Sequence, residues 1–203
     1  MRNVFVLTSV LLGSGFLIFK SSSTKTFSPH HTASTSTNVV AEKKASRRFS
    51  VNSAGPVGNI SIVIDKSDYE LSVYDDKGWY ATYPVVFGNN SLADKKMEGD
   101  KNTPEGNFKV IHKKNHAKWH KFIGINYPTK ESYEKFAERK RRGEIPASAS
   151  IGGAIGIHGT WPNEDFVIDR YKNWTLGCIS MKRKEVEEIY NFTPVGSSVT
   201  IRK

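Results

Sequence analysis

From Asn59 onward, apolar and polar positions alternate with a period of two over a series of short stretches. Ile60-Ser-Ile-Val-Ile64 is a β-branched run. Glu70-Leu-Ser-Val-Tyr74 alternates and leads into the turn Asp75-Asp-Lys-Gly78. Trp79-Tyr-Ala-Thr-Tyr83 and Val85-Val-Phe87 resume strand character, interrupted by Pro84 and ended at Gly88. Period-two alternation bounded by turn residues predicts half-buried strands. Further strands are expected at Asn107 to Ile111, Trp119 to Asn126, Ile155 to Ile157 and Ser198 to Ile201. The repeated strand-turn-strand spacing predicts antiparallel sheet. The last strand is expected to tie the C-terminus into it.

Helical spacing occurs twice. Residues 131–142 offer Thr129 or Ser132 as a cap and place Glu131 before Lys135 and Glu138 before Arg142, a favourable order for i,i+4 pairs. Arg139-Lys-Arg-Arg142 falls in the last turn, where the helix dipole favours cations, and Gly143 stops the helix. Its apolar stripe is only Tyr133, Phe136 and Ala137, so the helix must lean on the rest of the domain. It reads either as a basic lid beside a site or as a solvated face. Lys184 to Tyr190 is the second helix, with Val186, Ile189 and Tyr190 on one side.

The polar N-terminal quarter changes the picture of the domain's extent. Residues 1–20 have Arg2 at the start and an apolar run from Val4 to Phe19, as in a signal peptide or an N-terminal membrane anchor. Residues 21–55 are rich in Ser, Thr, Lys and Ala and read as a disordered linker. Residues 56–203 are then one folded domain. Export to the periplasm or cell envelope follows, with the protein either anchored or released. The formal net charge of +10 suits an anionic surrounding. For an exported chain that means wall polymers or lipid headgroups rather than nucleic acid.

Candidate chemistry concentrates late in the chain. Ile155-Gly-Ile-His158-Gly-Thr160 is followed by Asn173-Trp-Thr-Leu-Gly-Cys178-Ile-Ser-Met181, which holds the protein's one cysteine. One cysteine makes no internal disulfide. A thiol becomes a strong nucleophile when a base removes its proton, and imidazole is the usual agent. The adjacent glycines let backbone N–H groups approach a developing oxyanion. His112, His116 and His120 recur at four-residue steps, but Lys113, Lys114, Lys118 and Lys121 would repel a cation. They read as surface histidines, with no metal site, and no cofactor is called for.

The pair His158-Gly159 and Thr175-Leu-Gly-Cys178-Ile resembles the signature of L,D-transpeptidases of the YkuD type, as does the upstream landmark Gly99-Asp-Lys-Asn-Thr103-Pro104-Glu-Gly106-Asn-Phe108. The resemblance runs from Asn59 to Arg202. It implies an α+β fold that is mainly β with flanking helices, an L,D-transpeptidase-like β-sandwich or barrel with a helical insertion before the catalytic histidine. It implies Cys178 as nucleophile and His158 as general base and acid, with backbone support at Leu176, Gly177 and Gly159. A substrate groove is expected at Thr103, Pro104, Tyr127, Trp174 and Thr175. The implied partner is the peptidoglycan stem peptide, cut before its terminal D-alanine and joined to an amine acceptor. Water in place of the amine would make an L,D-carboxypeptidase or a hydrolase of stem peptides or wall–protein links. The rival of another class is a non-catalytic wall-binding module. A backbone carbonyl of Gly159 or Thr160, or else Asp165 or Asp169, is expected to orient His158. Many family members carry arginine where this chain has Ser180, and Lys182 or Arg183 is the expected stand-in.

Overall fold

The computed structural model describes residues 48–49 and 55–203 of the chain. The expectations for residues 1–20 and for most of 21–55 lie outside these. Among the described residues nine strands and three helices follow in order: β1 Arg48–Phe49, β2 Ser61–Asp65, β3 Glu70–Asp75, β4 Gly78–Pro84, β5 Gly106–His116, β6 His120–Ile125, α1 Lys130–Arg141, β7 Gly156–Gly159, α2 Phe166–Asp169, β8 Ile179–Met181, α3 Arg183–Phe192 and β9 Ser198–Arg202. The protein is mainly β with flanking helices. Two residues of the expected linker, Arg48 and Phe49, pair with Thr82 and Ala81 of β4.

The strands form one sheet in the order β1-β4-β3-β2-β9-β5-β6-β7-β8. The antiparallel expectation holds for β2–β3, β3–β4, β5–β6 and β6–β7. It fails at two places: β2 pairs with β9 in parallel, and β7 pairs with β8 in parallel. Both pairings join strands separated by a crossover, which local strand-turn-strand spacing does not register. The expected strand at 85–87 reduces to one bridge, where Val86 and Ser180 exchange N–H···O bonds of 2.8 and 2.9 Å. That bridge brings the chain beyond β4 against β8, at the other end of the sheet order.

β5 is the hinge of the architecture. Its first half, Gly106 to Lys109, pairs with β9, and its second half pairs with β6. The register shifts between Val110 and His112, so Ile111 is the extra residue of a bulge. A bulge reverses which parity faces which side. Phe108 and Val110 lie in the core, whereas beyond the bulge Lys113 turns inward and its Nζ donates to the carbonyls of Tyr190 and Thr193. His112, Lys114 and His116 are thereby sent to the opposite face. The strand thus runs five residues past its expected end at Ile111.

The core is continuous through both halves of the sheet, from Ile62, Ile64, Leu71 and Val73 to Ile123, Ile157, Ile179 and Met181. α3 buries Val186 and Ile189 against it, each contributing about 1.5–3 kcal/mol of apolar burial. α1 buries no residue. It is capped by Thr129, whose Oγ1 accepts from Ser132 N–H, and Gly143 follows at φ +70°. Arg139 anchors it, donating to Asp94 Oδ2 at 2.7 Å and to the Lys95 carbonyl at 2.6 Å. The loop that β5 grows from is therefore pinned under the helix.

Candidate active site

β7 and β8 set the positions of His158 and Cys178. His158 faces Ser180 in the parallel register, and Cys178 stands one residue before β8. The Cys178 thiol donates to the Ala154 carbonyl at 3.5 Å, and the Gly156 N–H points at the same sulfur. The sulfur therefore sits over the entry to β7. His158 lies two residues further along that strand, in the same parity as Gly156.

The turn that carries Cys178 depends on glycine. Gly177 has φ +126°, a conformation side chains disfavour, and a Cβ there would stand 2.8 Å from the Asn102 carbonyl. Gly88 closes the same contact from the other side: its Cβ would meet the Lys101 carbonyl at 2.0 Å and the Gly177 nitrogen at 2.9 Å. Thr175 holds the turn from within. Its hydroxyl donates to the Cys178 carbonyl at 2.7 Å and accepts from the Gly177 N–H at 3.1 Å.

His158 is 1% exposed. Its Nδ1 is 2.8 Å from the Gly159 carbonyl. A carbonyl only accepts, so Nδ1 carries the proton and Nε2 of the neutral ring keeps its lone pair. Burial lowers the pKa of the ring to about 4, against the opposing pull of the Gly159 carbonyl, with a smaller push from His116. Burial also raises the Cys178 thiol above its ordinary pKa, although the Gly156 N–H and the positive Lys95 favour the thiolate. Both shifts favour the uncharged forms, thiol and imidazole.

Aromatic rings enclose the imidazole. Trp119 stacks on it at 4.4 Å between centroids, Phe122 lies nearly parallel at 6.2 Å, and Trp174 meets it edge-on at 5.5 Å. His116 stacks on Trp119 at 4.3 Å. Beside this wall, Cys178 lines an open groove of about 530 Å³ between the loop at residues 95–101 and the β5–β6 hairpin. Asp100 organises that loop. It accepts from Lys95 Nζ and from the backbone N–H groups of Lys96, Met97 and Asn102. Burial pushes its carboxyl up, but these bonds outweigh it and hold the pKa below the usual range.

The sequence-predicted residues separate into groups. Cys178 and Leu176 line the groove. Gly159 N–H is engaged by the Trp119 carbonyl at 3.0 Å, and its own carbonyl serves His158. Thr103 is buried, and Pro104 and Tyr127 line a small crevice under α1 with Phe136 and Arg139. Trp174 and Thr175 sit in the turn before Cys178, with both backbone N–H groups donated to the Phe87 carbonyl. Gly99 represents the upstream landmark in the groove, with Lys101. Asp165 accepts from Thr160 and Arg183, Asp169 pairs with Lys182, and Arg183 also donates to the Thr160 carbonyl. Ser180 is fully buried, and neither Lys182 nor Arg183 lines the groove.

Sequence reasoning missed Trp119, Phe122, His116 and Lys114 as groove residues. His116, expected as a surface histidine, is half-buried in the aromatic stack because the bulge at Ile111 turns it that way. The available signal was the break in apolar parity at Val110-Ile111, which marks where strand faces exchange. Among the described residues no group of His, Cys, Asp and Glu is arranged to hold a metal ion, and no helix is long and apolar enough to cross a membrane.

Comparison with solved structures returns the helical cell shape determining protein Pgp2 of Campylobacter jejuni, at 21% identity over 71% of this chain and 48% of that one, with a TM-score of 0.52. An L,D-transpeptidase of Mycobacterium smegmatis matches at 16% identity over 71% of this chain and 59% of that one, with a TM-score of 0.45. The chain spans about half the length of Pgp2. No curated protein sequence gave a significant match. The family model of the L,D-transpeptidase catalytic domain, YkuD, matches residues 59–201, and the chain belongs to that family.

Proposed function

We propose that the domain is a peptidoglycan L,D-transpeptidase that works through Cys178 and His158. One arrangement carries this reading: a cysteine sulfur at the edge of an open groove, over the entry to the strand whose histidine is fixed with Nδ1–H toward the Gly159 carbonyl. That tautomer leaves Nε2 as the acceptor for the thiol proton. The thiolate then attacks the carbonyl between the diamino acid and the terminal D-alanine of a stem tetrapeptide. Backbone N–H groups of the Leu176–Cys178 turn stabilise the oxyanion, each donor being worth about 3 kcal/mol of barrier. The imidazolium returns its proton to the departing D-alanine nitrogen as the C–N bond breaks. The acyl group remains as a thioester on Cys178. An amine of a second stem attacks it, His158 takes the amine proton, and the thiol is regenerated as the cross-link forms. This chemistry places the domain in the cell envelope, where the stems are.

The neutral resting pair supports general-base activation on substrate arrival rather than a standing thiolate. Closing the groove with a peptide brings proton transfer and attack together.

Incubation of the reduced full chain with stem tetrapeptide, followed by intact-protein mass measurement, tests the reading. The expected result is an adduct on Cys178 lighter than the tetrapeptide by D-alanine, together with cross-linked dimer, and neither in the Cys178→Ala variant. Free tripeptide in place of dimer makes the domain an L,D-carboxypeptidase. Absence of adduct, dimer and tripeptide overturns the enzyme reading in favour of a binding module.

A further inference from the structure

The groove has two walls of opposite origin and a lysine on each. Lys101 belongs to the loop wall and is exposed, with φ +59°, an unusual conformation for a residue with a side chain. Its carbonyl packs where a Cβ on Gly88 would stand, beside the Gly177 nitrogen, so Lys101 is fixed next to the nucleophile turn. Lys114 belongs to the hairpin wall and is exposed, with Nζ 5.4 Å from the centre of the Phe122 ring. Phe122 in turn lies against His158. A third lysine of the lining, Lys95, is buried and already neutralised by Asp100 at 2.9 Å. Glu98, the carboxylate of the lining, accepts from the Ser150 hydroxyl. Among the described residues, Lys101 and Lys114 have no carboxylate partner.

Between them the groove is apolar, lined by Ile155, Trp119, Phe122 and Leu176. Cations held over apolar walls act through a lower effective dielectric than bulk water. An occupant with negative charge toward each lysine and an uncharged middle suits this lining, whose carboxylate Glu98 is held by Ser150. A peptide with one carboxylate on each side of the scissile bond meets this description.

We propose that Lys101 and Lys114 form a two-point clamp for the acyl donor and select stem peptides whose carboxyl groups are free over those in which they are amidated. The clamp rests on the transpeptidase reading for its substrate, but it is a statement about charge recognition and is tested by binding.

The test uses the full chain with Cys178→Ala, which prevents turnover. Fluorescently labelled stem tetrapeptide is titrated in two forms, with free carboxyl groups and with the same groups amidated, against this protein and against Lys101→Gln and Lys114→Gln in the same background. Each lysine substitution is expected to weaken the free-acid peptide about fivefold and to leave the amidated peptide unchanged, as for one partly exposed ion pair. The preference for free acid should fade as salt is raised from about 0.05 to 0.5 M. Equal binding of the two peptides, or equal loss of both on substitution, overturns the clamp and leaves the lysines as solvated surface. The protein with Cys178 intact is run in parallel by mass. An adduct that forms equally from both peptides retires the clamp and keeps the enzyme. Lysine-dependent binding with no adduct keeps the clamp and retires the enzyme.

Discussion

Trp119 lies flat against His158, with ring centroids 4.4 Å apart and planes 22° from parallel. The indole belongs to the turn between β5 and β6, and it lines the groove beside Cys178. It is therefore the cover that keeps His158 desolvated. Trp119→Ala should admit water, raise the His158 pKa from about 4 toward the ordinary imidazole value, and destabilise the fold by about 3 kcal/mol, the low end for a large aromatic truncation. Trp119→Phe should retain most of both. Imidazole proton NMR across a pH titration, alongside thermal unfolding, reads the two effects separately. An unmoved His158 pKa in the alanine variant would show that the indole is not the cover.

The same burial makes His158 a source of acid sensitivity. Its pKa is about 4 in the folded protein, against about 6.5 for imidazole in an unfolded chain. The folded state thus binds fewer protons between these values. The stabilisation is complete above about pH 6.5, falls as pH drops through the window, and is gone below about pH 4. The gap corresponds to on the order of 3 kcal/mol. Urea unfolding at pH 7.0, 5.5 and 4.5 should show this loss in the native chain and a shallower one in His158→Gln. Parallel pH curves for the two proteins would contradict the assignment.

Cys178 should react as a hindered thiol in the free protein. Burial raises its pKa, and the Gly156 N–H and Lys95 offset only part of that. Alkylation by iodoacetamide at pH 7 is expected to be slower than that of free cysteine, rising about tenfold per pH unit toward and past the ordinary thiol range. His158→Ala should leave this profile in place, because the resting imidazole is neutral. A plateau of reactivity between pH 5 and 7 would mean a standing thiolate–imidazolium pair. In that case the proton is transferred before the peptide binds.

What the chain disclosed in advance follows from how local each signal is. β2, β3 and β9 were legible because alternating burial is written in consecutive residues, as in Ile62, Ile64, Leu71 and Val73. α1 was legible from Thr129 and the pair Glu131–Lys135, which meets at 3.0 Å. His158 and Cys178 stood out by residue type and glycine context, and the register of β7 and β8 brings their segments side by side. The parallel pairs were not legible, since Ile64 and Ile201 meet across most of the domain. Nor was the cover on His158: Trp119 reaches it only because one extra residue at Ile111 turns the hairpin. Thr103 and Tyr127, expected in the groove, are core and crevice residues because the loop at residues 95–102 curls around Asp100 in front of them.

Gly88 gives the sharpest test of how the turn carrying Cys178 is held. It is ninety positions from Cys178 in sequence, and its backbone is not in the left-handed region, so alanine is conformationally acceptable there. The obstacle is steric. A methyl group would lie 2.0 Å from the Lys101 carbonyl and 2.9 Å from the Gly177 nitrogen, both backbone atoms that no rotamer change can move aside. Overpacking of this kind costs about 1–3 kcal/mol. It should also push the Gly177 turn away from Thr175, whose hydroxyl fixes the Gly177 N–H at 3.1 Å. Gly88→Ala is therefore expected to slow formation of the Cys178 adduct by at least tenfold, a loss of transition-state alignment that a displacement near 1 Å can exceed. Ser91→Ala, in an exposed position of the same connection, serves as the control and should leave the rate unchanged. Comparable adduct rates in the two variants, measured by intact-protein mass on folded samples, would show that the turn carrying Cys178 does not rely on Gly88 for its position.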